Sequence, residues 1–144
     1  MNNPDLTNMK ILFQLARLLA AVILLQTLYF KFTGQEESVY IFSQIESEFP
    51  QTDAESIGRY ASGVVELIAA VLLFVPGYVW LGATLSLGTM AGAIATHLTV
   101  LGIEIMDDGG LLFGLACTVF LCSLFVLWHK RSEIPLIGKL FKAE

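Results

Sequence analysis

Four long apolar blocks, residues 11–32, 57–75, 79–101 and 111–128, leave this chain few ways to fold. Each is close to the about 20 residues that an α-helix needs to cross the hydrocarbon core of a bilayer. Lipid offers no water to backbone N–H and C=O groups, so a segment at that depth must satisfy its own hydrogen bonds, and these blocks are expected to be helices. A soluble bundle of buried helices would show polar faces that these blocks lack. Only 15% of the 144 residues are charged and 56% are hydrophobic, which is little charge for a water-soluble domain. The expected fold is an all-α membrane protein. It is one domain over residues 1–144, a four-transmembrane-helix bundle with spans near 10–32, 53–75, 79–101 and 110–129, an outer loop at 33–52 and a tail at 130–144.

The charges orient that bundle. The net charge is −5, but its placement matters more. Lys130, Arg131, Lys139 and Lys142 follow the last block, and Lys10 and Arg17 open the first. Residues 33–56 carry Glu36, Glu37, Glu46, Glu48, Asp53 and Glu55 with no lysine or arginine, and residues 102–110 carry Glu104, Asp107 and Asp108. The positive-inside rule then places both termini in the cytoplasm and both acidic loops outside, as an even number of spans requires. The protein is expected in the cytoplasmic (inner) membrane of a bacterium. The acidic balance and the lack of a basic stripe exclude nucleic acid as a partner. The first block, interrupted by Arg17 and Gln26 and followed by bulky Tyr29-Phe30-Lys31-Phe32, reads as an uncleaved anchor rather than a signal peptide.

Periodicity assigns faces. Arg17, Ala20, Leu24, Thr27 and Lys31 fall on one side of the first helix, and Arg59, Ser62, Gly63, Glu66, Ala69 and Ala70 on one side of the second. In the third, His97 shares a face with Ser86, Met90 and Ala93, while Trp80, Leu87, Ile94 and Leu98 make a bulky stripe expected to face lipid. Small residues recur every fourth position at Thr84, Gly88, Gly92 and Thr96, and again at Gly110, Gly114, Thr118 and Cys122. Such stripes let helix backbones approach in lipid, so this hairpin is expected at the packed centre. In the outer loop Ile41, Phe42, Ile45 and Phe49 predict a short interfacial helix ended by Pro50. Thr52-Asp53-Ala54-Glu55 reads as a capping box opening the second span, and Asp107 or Asp108 as the cap of the fourth. The segment from Pro135 is expected to rest on the inner leaflet.

Four polar residues stand out as candidates for a ligand or proton pocket: Lys31, Arg59, Glu66 and His97. A carboxylate near mid-membrane, as Glu66 is, is costly unless paired, protonated or hydrated, so such residues mark functional sites. At 1.5 Å rise per residue His97 lies about 7 Å, and Glu66 about 10–15 Å, inside the outer boundary where Lys31 ends its helix. The structural alternatives stay open: an ion pair of Glu66 with Arg59 one coil away, a histidine merely bonded to a neighbouring helix, and snorkelling of Lys31 and Arg17 to the headgroups. Cys117 and Cys122 are five apart on one helix, with Cα atoms about 8 Å apart, and read as packing residues. No C-x-x-C, nucleophile or metal-ligand spacing is present. Haem would ask for more axial histidines than His97 and His129 supply.

Taken in order, several short elements carry a resemblance. They are Ala16-Arg17-Leu18-Leu19 leading to Lys31-Phe32-Thr33-Gly34; Glu66 in the second span; Gly92-Ala93-Ile94, His97 and Leu101-Gly102 in the third; and Asp108-Gly109-Gly110 with Leu112-Phe113 opening the fourth. In their order and spacing the chain resembles the DoxX-like family of small bacterial membrane proteins with four spans. It departs from many members at Leu28, where they have glycine, and at residues 76–80, which lack their basic residue. The resemblance implies association with membrane redox complexes: the relative DoxD looks like the membrane subunit of a thiosulfate:quinone oxidoreductase. Shared fold does not carry function by itself.

Two functions follow as expectations. In the first the chain is a redox-associated membrane subunit binding a small molecule, with a quinone head group as the cofactor its polar pocket would take. Its partners are the lipid bilayer and a membrane or periplasmic redox protein, or a second copy of itself. In the second it is a non-catalytic assembly or anchoring subunit whose charges fix helix register. Neither assigns catalysis to this chain.

Overall fold

The structure, a computed structural model, describes residues 4–135. Over these residues the chain is helical apart from its connecting turns, with no strand. The helices are α1 (Pro4–Thr33), α2 (Glu36–Glu48), α3 (Arg59–Leu72), α4 (Val79–Thr96) and α5 (Leu111–His129). A π-helical turn, Ala54–Gly58, runs directly into α3, and another, His97–Leu101, continues α4. Three helical stretches, Leu6–Thr33, Val79–Leu101 and Leu111–His129, are long and apolar enough to cross a membrane. The second apolar block differs: α3 has 14 residues, and with its leading turn it carries Glu55, Arg59 and Glu66.

α1 packs against α3 and α5, and α4 packs against the same two helices. The assigned faces of α1 and α3 are the buried ones: Ala20, Leu24, Ala69 and Ala70 are almost fully covered. So are Ser86, Met90 and His97 on α4. The opposite faces expose Leu15, Leu18, Val22, Ile68, Val71, Leu121 and Leu124. Apolar surface of this extent has lipid as its natural solvent. The core interleaves alanines with Leu24, Leu73 and Val119, and of the described glycines Gly82 is the most closely packed. A Cβ there would lie 2.6 Å from the Leu73 backbone nitrogen and 2.9 Å from the Ala69 carbonyl oxygen. α4 and α5 are joined at full burial by a 2.8 Å hydrogen bond between the Ser86 and Ser123 hydroxyls.

Several expectations need correction. Gly88 and Gly92 do not lie at a helix contact: both are exposed, and an added Cβ would meet nothing within 4 Å. Thr84 and Gly114 on the same small-residue stripes are exposed too. The stripe that packs is Val79, Gly82, Ala83, Ser86 and Met90, offset from the one expected. The supposed lipid stripe is half-buried at Trp80, Leu87 and Ile94, and only Leu98 is strongly exposed. The capping box is absent as well. Asp53 adopts a left-handed conformation with no side-chain cap, and the Glu55 N–H is instead taken by the Glu46 carboxylate at 2.8 Å. Leu28 is buried, and with Phe32 it packs from α1 onto Gly63 of α3. Lys139, Lys142 and the segment following Pro135 lie outside the described residues.

The two glycines give a direct test. Gly82→Leu is expected to abolish the folded state in detergent, because its Cβ would overlap backbone that cannot yield. Gly92→Leu is expected to leave thermal stability within about 1 kcal/mol of the parent, gaining helix propensity at an open position. A greater loss for Gly92→Leu would contradict this packing.

Candidate functional site

The site is assembled at the end of the molecule where α1 finishes. Lys31 lies in the last turn of α1, where the helix dipole favours a cation. Its ammonium reaches α3 and meets the Glu66 carboxylate, Nζ to Oε1, at 2.7 Å. The second carboxylate oxygen accepts a bond from the Thr27 hydroxyl at 3.3 Å, one turn back on α1. The side chains of Lys31 and Glu66 are 15% and 4% exposed, so the pair is nearly dry. Each ion alone would be costly at this depth, and it is their contact that allows both to be there.

Arg59 does not pair with Glu66. Its guanidinium donates to the Lys31 carbonyl and to the Glu55 carbonyl, the latter at 3.2 Å, and it bridges to the Glu55 carboxylate at 3.3 Å. It lies over the Tyr60 ring, 4.4 Å from the centroid. One of the carbonyls that the end of α1 leaves open is thus satisfied from α3. Arg59 therefore fixes the backbone beneath Lys31. At the other end of the same helix pair, Arg17 donates to the Leu73 carbonyl at 2.7 Å, which closes the end of α3.

His97 opens the π-helical turn after α4, a geometry frequent at functional sites. Its Nδ1 donates to the Gly102 carbonyl at 2.8 Å, and the ring meets Phe113 edge-on at 5.5 Å. Gly102 has φ +80°, a conformation that favours glycine and turns its carbonyl back toward the ring. The N-cap position of α5 is Gly110, and Asp108, two residues earlier, reaches the first turn from outside. Its Oδ1 accepts from the N–H groups of Ile105 and Gly110 at 2.9 and 2.8 Å, and its Oδ2 from Leu112 at 2.9 Å. Burial works to raise the Asp108 pKa, but the three backbone donors and the nearby His97 outweigh it and hold it below the usual carboxylate range.

Lys31, Glu66 and His97 line one cavity of about 440 Å³, together with Asp108; Arg59 is not among its walls. Most of the lining is apolar, from all five helices. α2 lies across it, contributing Ile41, Phe42 and Ile45, and the Phe42 ring sits 5.8 Å from the Lys31 ammonium. The cavity also reaches Gln26 of α1 and Gly88 and Gly92 of α4, which are exposed on the outer helix surfaces, so it opens sideways. Ser38 on α2 also lines it and was not singled out from the sequence. Its signal was available: the apolar face Ile41, Phe42, Ile45, continued one turn back, lands on Ser38. Among the described residues no group of three or more His, Cys, Asp or Glu side chains is placed to hold a metal ion.

Chemically the arrangement is a greasy chamber with one ion pair and one oriented imidazole in its wall. It suits a molecule with a compact polar head and an apolar body. No curated protein and no solved structure matches the chain. A family model described as DoxX matches residues 12–99, a stretch that includes Lys31, Arg59, Glu66 and His97. With that match over more than half its length, and with its long apolar helices, the chain is a membrane protein and belongs to the DoxX family.

Proposed function

We propose that this protein crosses the bacterial cytoplasmic membrane four times as a single antiparallel bundle, with both termini inside. The turn Ala54–Gly58 and α3 follow without a break and make about 28 Å of helix at 1.5 Å per residue, close to the thickness of the hydrocarbon core. The charges on this stretch are compatible with a span because Glu66 meets Lys31 and Arg59 meets Glu55. In a background with Cys117 and Cys122 replaced by alanine, a membrane-impermeant thiol reagent added to intact cells should label Glu46→Cys and spare Lys130→Cys. The reverse pattern would overturn the topology.

Within that bundle the cavity serves as the binding site for a small amphiphile drawn from the bilayer, with a quinone-like ring as its polar head. One observation carries this reading: the buried Lys31–Glu66 pair and His97 face the same largely apolar chamber, whose lining includes the exposed Gln26, Gly88 and Gly92. The volume lies in the range of small-molecule sites. Lys31 uses one of its three N–H donors on Glu66 and can offer another to a ligand oxygen. The chain would act as a redox-associated membrane subunit, receiving or presenting such a molecule to a partner. A second reading, an anchoring subunit, draws on the uncovered small residues Thr84 and Gly88 on α4, where another helix could pack.

The first reading is tested with decylubiquinone and the purified protein in nanodiscs. The probe should raise the unfolding temperature, since a ligand at a hundred times its Kd adds about 2.7 kcal/mol to the folded state. Gly92→Leu, whose side chain enters the cavity mouth, should remove the shift while leaving basal stability intact. No shift in the parent, or an equal shift in both, would leave the anchoring reading.

A further inference from the structure

The cavity wall contains two hydrogen-bonding groups that the protein itself leaves unused. The Ser38 hydroxyl is buried, with the residue only 5% exposed, and has no partner. It is the sole buried side-chain N or O among the described residues in that condition. Buried polar groups in folded proteins are almost always paired, and an exception calls for a cause such as a ligand. The second group is Nε2 of His97. The Gly102 carbonyl can only accept, so the bond at 2.8 Å places the imidazole hydrogen on Nδ1. In the neutral ring Nε2 is then a lone pair, fixed in direction by the Gly102 bond and the edge contact with Phe113. Among the described residues Nε2 has no hydrogen-bond partner, and unlike Ser38 Oγ it is not fully enclosed. Ser38 and His97 line the same cavity, and α2, which carries Ser38, packs on the turn that begins at His97.

A quinone carbonyl would set its own lone pairs against that of Nε2. A ring hydroxyl would give Nε2 the hydrogen it lacks, and its oxygen could in turn accept from Ser38. Phe30 and Phe42 in the wall provide flat apolar surface for a ring, and the sideways opening provides an exit for a tail. We infer that the occupant is a tail-bearing phenol, a class that includes the hydroquinone form of a quinone head, with its hydroxyl hydrogen on His97 Nε2 and an oxygen on Ser38 Oγ. This rests on the reading of the cavity as an amphiphile site and names the chemical form it selects.

The test compares para-nonylphenol with its methyl ether, para-nonylanisole, which has the same ring and tail but no hydroxyl hydrogen, against the protein in nanodiscs. The phenol should bind about tenfold more tightly, the worth of one good buried hydrogen bond. His97→Phe should bring the two affinities together. Ser38→Ala, which deletes an unpartnered hydroxyl, should keep the empty protein at least as stable and weaken the phenol severalfold. Equal binding of phenol and ether by the parent, with decylubiquinone still bound, would overturn the inference and leave the amphiphile site standing. A preference for the phenol that survives both His97→Phe and Ser38→Ala would also overturn it. Failure of all three probes to bind would remove the site itself.

Discussion

The contact between Lys31 and Glu66 is the constraint on which the rest depends. Two ions at this depth are tolerated only in contact, so the end of α1 and the middle of α3 are held together in one register. Other polar contacts work along the same seam. Thr27 takes the free oxygen of Glu66, Arg59 reaches back to the Lys31 carbonyl, and Arg17 closes the far end of α3 at Leu73. Between lipid-facing helices there is little hydrophobic driving force, so packing and polar contacts must specify how helices meet. α1 and α3 are specified by charge. α3, α4 and α5 are specified by close approach at Gly82 and by the Ser86–Ser123 bond.

The same pair lines the chamber at this end of the molecule. Small and medium side chains fill the core along Ala20, Ala69, Ala83 and Val119, all fully buried. Beyond them, the helices enclose the chamber, with the ion pair in its wall. α2 closes over the resulting chamber without filling it, leaving its one serine on the inner face unpaired. On the proposed reading, a partly dry chamber with an oriented imidazole in its wall takes molecules that already reside in the membrane.

Much of this was legible in the sequence because charge and periodicity are local. The buried faces of α1 and α3 follow from Arg17, Ala20, Leu24, Lys31 and from Arg59, Gly63, Glu66. That Lys31, Glu66 and His97 lie within reach of one cavity was foreshadowed by the rise per residue, which set them within about 15 Å of one another along the bundle. What was not legible depended on which of two similar stripes packs. Gly82 and Gly88 differ little as sequence, and only the position of the α3 end decides that the first meets backbone and the second meets nothing. Glu66 had two cations within reach, and the choice of Lys31 over Arg59 depends on the turn Ala54–Gly58, which brings Glu55 onto Arg59. Ser38 looked like one more polar residue of an acidic loop until α2 was seen to lie over the cavity.

The central claim, that Lys31 and Glu66 are one charged unit, is tested most directly by a double-mutant cycle with Lys31→Met and Glu66→Gln, read as unfolding free energy in detergent. Each single change leaves one buried group without its partner, a loss of about 3–5 kcal/mol for a fully buried pair, and nearer the lower figure here because Lys31 is 15% exposed. The account predicts that the double variant loses clearly less than the two singles together, by more than about 1 kcal/mol. Losses that simply add would mean that the two residues act separately, and the register and the chamber would need another explanation.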